Sequence, residues 1–285
     1  MAADHKTLAD AGERDPAHGW AVSALRASWP ALDERRLRGW SLGFSEGFTR
    51  RANSVWMLGE VGDESDVRAA IGTVEEAYRV RGLPSRFLTT DSSDPSEVAA
   101  LKAFGYLSSL SGRILMRALD APPAAAPGAE AAGASVPDDV VAPGVAVLST
   151  TARDVPSEWL DAWLEWNGRR LARDRRVAPR ILAANEAVFL EVRVEGRLVA
   201  LARVAVTDGT GVIDCLATES SSQGRGYGRL LLERAAGEAA ARGAASCLAM
   251  VVDSNAVSLR LFERAGFRQL GAFRYLEAPE RVSCC

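Results

Sequence analysis

The feature that most constrains the fold is a strand, a glycine-rich loop and a helix that follow one another directly. Residues 212–218 form an apolar, β-branched run with one charge, Asp214, which predicts a buried strand. The loop QGRGYG, residues 223–228, precedes a run with apolar residues at helical spacing. This order brings free backbone N–H groups and the positive end of a helix dipole to one point. The segment therefore predicts an anion-binding site.

Spacing within this loop excludes two familiar phosphate-binding motifs. A dinucleotide fingerprint requires G-x-G-x-x-G, but after Gly224 and Gly226 the third glycine position holds Arg229. A P-loop requires a lysine at the start of the helix, and this loop contains none. The pattern that remains is Q-x-x-G-x-G, which runs from Gln223 to Gly228.

A second motif lies downstream of the first. Residues 245–252 predict another buried strand, and Asp253, Ser254 and Asn255 predict the cap of a helix over 256–265. The run NAVSLRLFERAGF, residues 255–267, completes the segment. Together, the loop and this run resemble the GNAT (GCN5-related N-acetyltransferase) superfamily. Asn255 has a purely structural alternative, because asparagine is a common helix N-cap.

The resemblance implies a fold of the α/β (α+β) class. A mixed, mostly antiparallel central sheet flanked by helices is expected, as in acyl-CoA N-acyltransferases, with Gly266 and Phe267 leading into a last hairpin. It also implies acetyl-CoA as co-substrate, with its pyrophosphate on the glycine loop and its pantetheine arm along the strand. The implied cofactor-binding residues are Leu216, Ala217, Thr218, Gln223, Gly224, Arg225, Gly226, Tyr227, Gly228, Arg229, Asn255 and Phe262.

Length and composition limit the number of domains and the classes of partner. The chain has 285 residues, enough for two domains, with 34 basic and 37 acidic residues, so no nucleic-acid or membrane partner is indicated. The sequence has neither an apolar run of membrane length nor the apolar core of a signal peptide, which predicts a cytoplasmic protein. Four cysteines and two histidines lack zinc spacing, so no metal is expected, and Cys215 and Cys247 are expected to be buried.

Composition also divides the chain near its middle. Residues 121–144 contain 17 Ala, Pro or Gly residues out of 24, which predicts a linker. It would separate a domain at 1–120 from a catalytic domain at 145–285. With an offset of 161 residues, Gly82 aligns with Gly243 and Gly105 with Gly266, and predicted elements follow the same order. We therefore expect two related domains in tandem.

This alignment predicts that the first domain is degenerate. The segment GDESDV, residues 62–67, lies where the second half has its glycine loop. Three carboxylates there would repel a pyrophosphate by several kcal/mol, using an effective dielectric constant of about 20. We expect one acetyl-CoA per chain, and we expect residues 145–285 to retain binding on their own.

Two groups of residues are candidates for the acceptor pocket. Trp159, Trp163 and Trp166 share one face of a helix predicted over 156–171, and they are interpreted either as core or as a pocket wall. The arginines that follow are interpreted as a solvated face, or as a grip for a carboxylate or the CoA 3′-phosphate. They are Arg169, Arg170, Arg173, Arg175, Arg176 and Arg180.

The proposed chemistry is transfer of an acetyl group to a primary amine of a small molecule. An alkylamine has a pKa near 10.4, so its deprotonation at pH 7 costs roughly 4–5 kcal/mol. Asp214 is the candidate general base, or else a partnered structural carboxylate, and Glu219 and Glu191 are weaker candidates. In this superfamily a tyrosine often protonates the thiolate, and the matching residue here is Phe262, which cannot donate a proton.

Two alternatives stay open at the sequence level. Phe262 and the degenerate first half favour a non-catalytic acyl-CoA-binding sensor. A protein N-acetyltransferase is disfavoured because a second domain would crowd the open groove that a peptide needs. The chain is expected to be a monomer or a homodimer.

Overall fold

The structure is a computed structural model that describes residues 18–119 and 139–278. The first half of the chain contains three helices and five strands in the described residues: α1 Gly19–Ser28, β1 Asp33–Leu37, β2 Trp40–Phe44, β3 Val55–Met57, α2 Glu64–Arg79, β4 Arg86–Thr90, α3 Pro95–Ala103 and β5 Leu107–Ala118. The second half starts with additional strands and helices and ends with the same order of strand, helix, strand, helix, strand as the first half.

The described part of the second half contains four helices and seven strands. They are β6 Asp139–Ala142, β7 Val145–Ala152, α4 Ser157–Trp166, α5 Ala172–Leu182, β8 Ala187–Val194, β9 Arg197–Thr207, β10 Thr210–Thr218, α6 Tyr227–Ala241, β11 Ser246–Val252, α7 Ala256–Arg264 and β12 Arg268–Glu277. β8 and β9 form a hairpin. Its turn lies at Glu195 and Gly196, which both have positive φ.

All twelve described strands belong to one sheet. Their order is β1-β2-β3-β4-β12-β5-β11-β10-β9-β8-β7-β6. Two neighbouring pairs are parallel, β3 with β4 and β10 with β11, and the other neighbours are antiparallel. The predicted class, a mixed and mostly antiparallel sheet flanked by helices, is confirmed.

The two halves exchange their last strands. β12, from the second half, lies between β4 and β5, and β5, from the first half, lies between β12 and β11. The hairpin expected after Gly266 and Phe267 was therefore a wrong prediction, because β12 pairs with strands of the first half. Backbone hydrogen bonds do not distinguish a strand of one half from its counterpart in the other, so the exchange leaves the ladder complete.

The internal repeat is confirmed by the elements themselves. When 161 is added to the residue numbers of α3, its first and last residues coincide with those of α7. The first residue of β5 coincides with that of β12 in the same way. Gly82, Gly105, Gly243 and Gly266 all have positive φ and follow helices, which explains why glycine recurs at these positions. The first half therefore has the same fold as the end of the second.

Two element boundaries differ from the prediction in ways that shape the site. α4 ends at Trp166, before Gly168, which has a φ of 64°, so the predicted helix over 156–171 is shorter. The sequence predicts the next helix around residues 178–184, but α5 starts earlier, at Ala172, because the buried Asp174 accepts a hydrogen bond from the N–H of Leu171 at 3.1 Å. The segment 167–171 is therefore a loop between the two helices.

Part of the predicted linker is a strand. Residues 139–142 form β6, which pairs with β7, whereas residues 121–138 lie outside the described residues. None of the described helices is both long and apolar enough to cross a membrane.

A shared apolar core joins the halves. Trp29 and Phe48 of the first half belong to the same buried cluster as Trp159, Trp163 and Phe189 of the second. Aromatic rings bury large apolar areas, so this cluster contributes strongly to holding the halves together. Because of this cluster and the exchanged strands, the structure has one continuous sheet and not two independent ones.

Candidate active site

A cavity opens where the two central parallel strands separate. β10 pairs with β11 through Thr210, Gly211 and Val212, although β10 continues to Thr218. Residues 213–216 of β10 and 249–252 of β11 line a cavity of about 510 Å³ beyond this point. Ligand pockets have volumes of roughly 300–1,000 Å³, so the cavity is large enough for a small-molecule substrate.

β10 bends at the cavity because it carries a β-bulge. Its register passes from Asp214 opposite Arg203 to Ala217 opposite Leu201, with the two residues between them facing one residue of β9. One of these, Cys215, has a φ of 58°, a left-handed conformation that costs a non-glycine residue about 1–2 kcal/mol. Bulges of this kind occur next to active sites, where they redirect side chains. Here Asp214, Cys215 and Leu216 all line the cavity.

The glycine loop precedes α6 directly, as predicted. Gly224 and Gly226 have φ values of 76° and 86°, and Gly226 is the N-cap residue. A Cβ built on either glycine meets no atom within 4 Å, so this face of the loop is open. The first N–H groups of a helix lack intrahelical partners, which makes the loop suited to a phosphate. Arg225 and Arg229 are exposed beside it.

Other residues of the loop have mainly structural roles. The side chain of Tyr227 packs in the core, which leaves the backbone N–H of this residue as its group for a ligand. The side-chain amide of Gln223 donates to the carbonyl of Thr218 at 3.4 Å and links the loop to the end of β10. A Cβ on Gly228 would lie 2.9 Å from Cδ2 of Leu261, so the small residue here lets the leucine side chain of α7 pack closely against α6.

The start of α7 forms another side of the cavity. Asn255, Ser258 and Phe262 line it. Asn255 is also an N-cap, since its Oδ1 accepts a hydrogen bond from the N–H of Ser258 at 3.0 Å. Phe262 packs edge-to-face against Phe267 with a centroid distance of 4.9 Å, and it is 4% exposed. The structural interpretation and the ligand-binding interpretation of Asn255 are compatible.

The first half supplies an unexpected wall of the cavity. Trp29, Thr49, Arg50, Arg51 and Leu110 all line it. No local motif marks these residues, so they could not be predicted from the sequence. Thr49, Arg50 and Arg51 lie between β2 and β3, Leu110 lies in β5, and Trp29 follows α1.

Asp214 is part of a buried cluster of charges. Nη1 of Arg203 lies 3.1 Å from Oδ2 of Asp214, and Nη2 of Arg51 lies 3.5 Å from the same oxygen. Arg203 is fully buried and also donates to the carbonyls of Leu182 and Ser28. The structural alternative for Asp214 is therefore present, while its carboxylate still lines the cavity.

Only one of the three predicted tryptophans lines the cavity. Trp163 does so and contacts Trp29 and Phe48 edge-to-face. Trp159 is fully buried, and its indole N–H donates to the carbonyl of Leu190 at 3.2 Å. Trp166 packs at the edge of the same core cluster. The helical spacing correctly placed all three on one face, but that face mainly covers the core.

The six predicted arginines also divide into one that lines the cavity and five that do not. Arg170, Arg173, Arg175, Arg176 and Arg180 are exposed, as expected of a solvated face. Within this set, Arg175 pairs with Asp161 and Arg176 with Glu46. Arg169 differs, because it is half-buried and lines the cavity from the loop between α4 and α5.

The remaining acid–base candidates have distinct surroundings. Hydrogen bonds from Arg197 and Ser221 lower the pKa of Glu219, and Glu191 pairs with Arg193; the cavity lining includes neither glutamate. Burial raises the pKa of the Cys215 thiol well above its usual range, so this cysteine is protonated at neutral pH. Burial also raises the pKa of Tyr275, a further lining residue, to about 12.

The equivalent region of the first half is closed. Asp63 is the N-cap of α2, and its carboxylate accepts the N–H of Asp66 at 3.0 Å. It occupies one of the helix N–H groups that a phosphate would need. β3 is only three residues long and remains paired with β4 at Val55 and Trp56. That the first half does not bind acetyl-CoA stays a prediction.

Among the described residues, no group of three histidine, cysteine, aspartate or glutamate side chains is arranged to hold a metal ion.

Comparison with known proteins matches one region of the chain to a protein family. Residues 152–267 match the model of the acetyltransferase (GNAT) family. The second half of this chain therefore contains a region that matches the GNAT family model, and the first half is GNAT-like in fold. No curated protein matches the sequence.

Solved structures agree on the fold at low sequence identity. A GCN5-related N-acetyltransferase from Kribbella flavida is 16% identical, with a TM-score of 0.64 over 92% of this chain and 95% of that one. One from Sphaerobacter thermophilus is 17% identical, with a TM-score of 0.58 over 84% and 76%. A tandem GNAT protein from the clavulanic acid biosynthesis pathway is 16% identical, with a TM-score of 0.58 over 79% and 74%.

Proposed function

We propose that the protein transfers the acetyl group of acetyl-CoA to the primary amine of a small molecule. The observation that carries this proposal is the separation of β10 from β11 beside the open glycine loop. The edge of β10 beyond Val212 is not paired with β11 and lines the cavity, and the glycine loop with the free N–H groups of α6 follows β10 in the chain. An extended thioester arm and its phosphates have complementary chemistry.

The donor is proposed to bind along β10 and the loop. The amides of residues 224–228 would hold its pyrophosphate, with Arg225 and Arg229 adding positive charge. Leu216, Ala217 and Thr218 would present backbone groups to the pantetheine arm and to the thioester carbonyl. Such pre-aimed donors stabilise a developing oxyanion, an effect that is typically worth about 3–4 kcal/mol per donor.

The acceptor is proposed to be a small molecule because the first half covers its approach. Trp29, Thr49, Arg50 and Arg51 stand across the cavity from β10. A peptide substrate needs an open groove, and these side chains occupy that side. The size of the cavity, about 510 Å³, suits an amine of metabolite size.

Proton removal from the amine is proposed to involve Asp214, the one carboxylate among the described lining residues. Its two guanidinium partners, Arg203 and Arg51, hold the carboxylate in place at the cavity wall. We expect its contribution to lie near the lower end of the range for general base catalysis, about 10²-fold.

The leaving thiolate is proposed to depart without a tyrosine proton donor. Phe262 has no proton, and the pKa of Tyr275, about 12, lies roughly 3.5 units above that of an ordinary thiol. Proton transfer from Tyr275 to the thiolate would be uphill by roughly 5 kcal/mol at 1.36 kcal/mol per unit. A thiol is already a fair leaving group near neutral pH, so the missing donor does not prevent turnover.

The test is consumption of acetyl-CoA by the full chain. CoA release is measured with a thiol reagent against a panel of amines, amino acids and peptides, with a reaction lacking acceptor as the control for hydrolysis. Acceleration by at least one small amine is expected. Acceleration by peptides alone would contradict the small-molecule proposal.

A second candidate, an acyl-CoA-binding sensor, is favoured by Phe262. Binding of acetyl-CoA without turnover on any amine would support it. Phe262→Tyr distinguishes the enzyme from the sensor. A tyrosine hydroxyl can change the acetyl-transfer rate of an enzyme, but it has no such rate to change in a protein that only binds acetyl-CoA. We expect this variant to be as active as the wild type or mildly more active.

A further inference from the structure

The charges around the cavity do not balance. Among the described residues that line it, three are arginines, Arg50, Arg51 and Arg169, and one is a carboxylate, Asp214. Arg51 shares Asp214 with the buried Arg203, and Arg50 pairs with Glu277, which also pairs with Arg86. The lining therefore has a net positive charge, which favours an anionic group in the ligand.

Arg169 is the lining arginine that has no carboxylate within ion-pair distance among the described residues, although the charge of Asp174 acts on it. Within residues 18–119 and 139–278 it forms no ion pair, and its Nε is buried without a hydrogen-bond partner. Burial lowers its pKa, which shows that its charged form is not fully compensated. Buried polar groups in folded proteins are nearly always hydrogen-bonded, so this atom indicates a missing partner.

The guanidinium of Arg169 is also held in place. Its Cζ lies 4.7 Å from the ring centroid of Phe48 and 5.6 Å from that of Trp163. Contacts with two rings restrict the orientation of the planar group. A planar guanidinium offers parallel N–H donors that match the two oxygens of a carboxylate.

We propose that the acceptor is an aminocarboxylate and that Arg169 binds its carboxylate. This inference rests on the proposed function, since it names the substrate class of the same site. Trp29 and Trp163 would contact the carbon skeleton between the two charged groups. Arg169 has a binding role in this proposal, whereas Asp214 and the bulge of β10 act on the reacting amine.

The phosphates of CoA are a less suitable partner for Arg169. The glycine loop, residues 223–228, is not part of the cavity lining, and Arg225 and Arg229 lie at that loop. Arg169 instead lies beside Trp163 and Asn167, on the wall formed by the loop between α4 and α5. The anion that it binds is therefore expected on the acceptor.

The positive lining also assists the reaction. Nearby cations disfavour the ammonium form of the bound amine, so they make its deprotonation easier. The amine nitrogen then forms a bond to the acetyl carbon, and the carbon–sulfur bond breaks. Starting from the ammonium form, the products are the amide, CoA as thiol and one proton released to solvent.

The test compares each amino acid with the amine formed by its decarboxylation, using the full chain and saturating acetyl-CoA. The wild type is expected to have a kcat/KM at least 10-fold higher for the amino acid. Arg169→Gln is expected to raise KM for the amino acid by roughly 10- to 100-fold, the value of a charge-assisted hydrogen bond. KM for the decarboxylated amine and for acetyl-CoA should remain unchanged.

Two further variants make the test specific. Arg170→Gln, at the exposed neighbouring arginine, should behave as the wild type. Arg169→Lys should recover part of the affinity, because it keeps the charge and loses the paired donors. An aminophosphonate should bind less well than the matching aminocarboxylate; equal or tighter binding would show that the site recognises oxyanions in general, and would overturn the carboxylate assignment.

Failure of the inference and failure of the proposed function give different results. Turnover of decarboxylated amines at equal or higher kcat/KM, or an Arg169→Gln enzyme with unchanged KM for amino acids, would overturn the inference and leave acyl transfer intact. If no amine is acetylated, the binding of amino acids in the presence of CoA is measured by calorimetry to test the carboxylate site directly. Binding that is lost in Arg169→Gln would support the carboxylate site, and absence of binding to the wild type would overturn it.

Discussion

Phe273 of β12 pairs with Gly112 of β5, and these residues are counterparts under the 161-residue offset that relates the two halves. The local two-fold axis of the exchanged strands therefore passes between them. A Cβ on Gly112 would clash with the ring of Phe273 and with the carbonyl oxygen of Val251. The absence of a side chain at one position of the pair thus accommodates the large ring at the other. Phe273 also lines the cavity.

Replacing Gly112 tests the importance of this pair. Gly112→Ala is expected to lower the free energy of unfolding by about 1–3 kcal/mol, because a methyl group would have to fit between packed atoms. The measurement is urea unfolding followed by tryptophan fluorescence.

The matched control is Gly72→Ala, since Gly72 is exposed in the middle of α2 and a Cβ there meets no atom within 4 Å. This change should stabilise the protein by about 0.5–1 kcal/mol. A Gly112→Ala protein as stable as the wild type would show that the ring of Phe273 can move away at no cost.

The exchange of strands also changes what is expected of the isolated second half. Residues 139–285 alone lack β5, which pairs with β11 at seven positions, from Ser246 to Val252. They also lack Trp29 and Phe48 of the shared core. We now expect this fragment to bind acetyl-CoA at least about 10-fold more weakly than the full chain, as measured by calorimetry, in contrast to the expectation from sequence.

Co-expression of residues 1–119 with residues 139–285 provides the control. The two fragments should form a complex with restored affinity, since only the connection through residues 120–138 is missing. Wild-type affinity of the second fragment on its own would show that the exchanged strands are dispensable for the donor site.

The sequence predicted the elements of the repeat well, because their signals are local. The spacing of apolar residues, Asn255 as a cap and the glycine-rich loop gave α6 and α7 within a few residues. The donor side of the candidate site depends on the same local features. Gly224 and Gly226 of this loop have positive φ values and an open face.

The acceptor side could not be predicted, because it depends on contacts between distant parts of the chain. Arg51 and Asp214 interact although 163 positions separate them. Antiparallel pairing uses backbone groups that every strand has, so β5 and β12 carry no sequence signal of their exchange. Arg169 was one of six similar arginines, and its burial depends on Phe48 of the other half.

The donor site can be tested at the N-cap of α6. Gly226→Asp adds a Cβ at a φ of 86° and places a negative charge where the pyrophosphate is proposed to bind. Affinity for acetyl-CoA, measured by calorimetry, is expected to fall by at least about 100-fold, because like charges at such distances repel by several kcal/mol.

Gly243→Asp is the control for backbone strain. Gly243 lies just after the C-terminal end of the same helix, has a φ of 79° and is equally open. This variant should lose stability and keep its affinity for acetyl-CoA. Equal losses of affinity in both variants would mean that strain in α6, and not charge at the loop, causes the effect.

Asp214→Asn separates a structural role of this carboxylate from a catalytic one. It removes a charge that pairs with the buried Arg203, so the free energy of unfolding should fall by about 3–5 kcal/mol. If Asp214 is also the general base, kcat should fall by about 10²-fold at a temperature where the variant is fully folded, with KM for acetyl-CoA nearly unchanged. Glu191→Gln is the control, since Glu191 also pairs with an arginine and does not line the cavity; it should leave kcat as in the wild type. A folded Asp214→Asn enzyme with the wild-type kcat would assign the residue to the stability of the cavity wall alone.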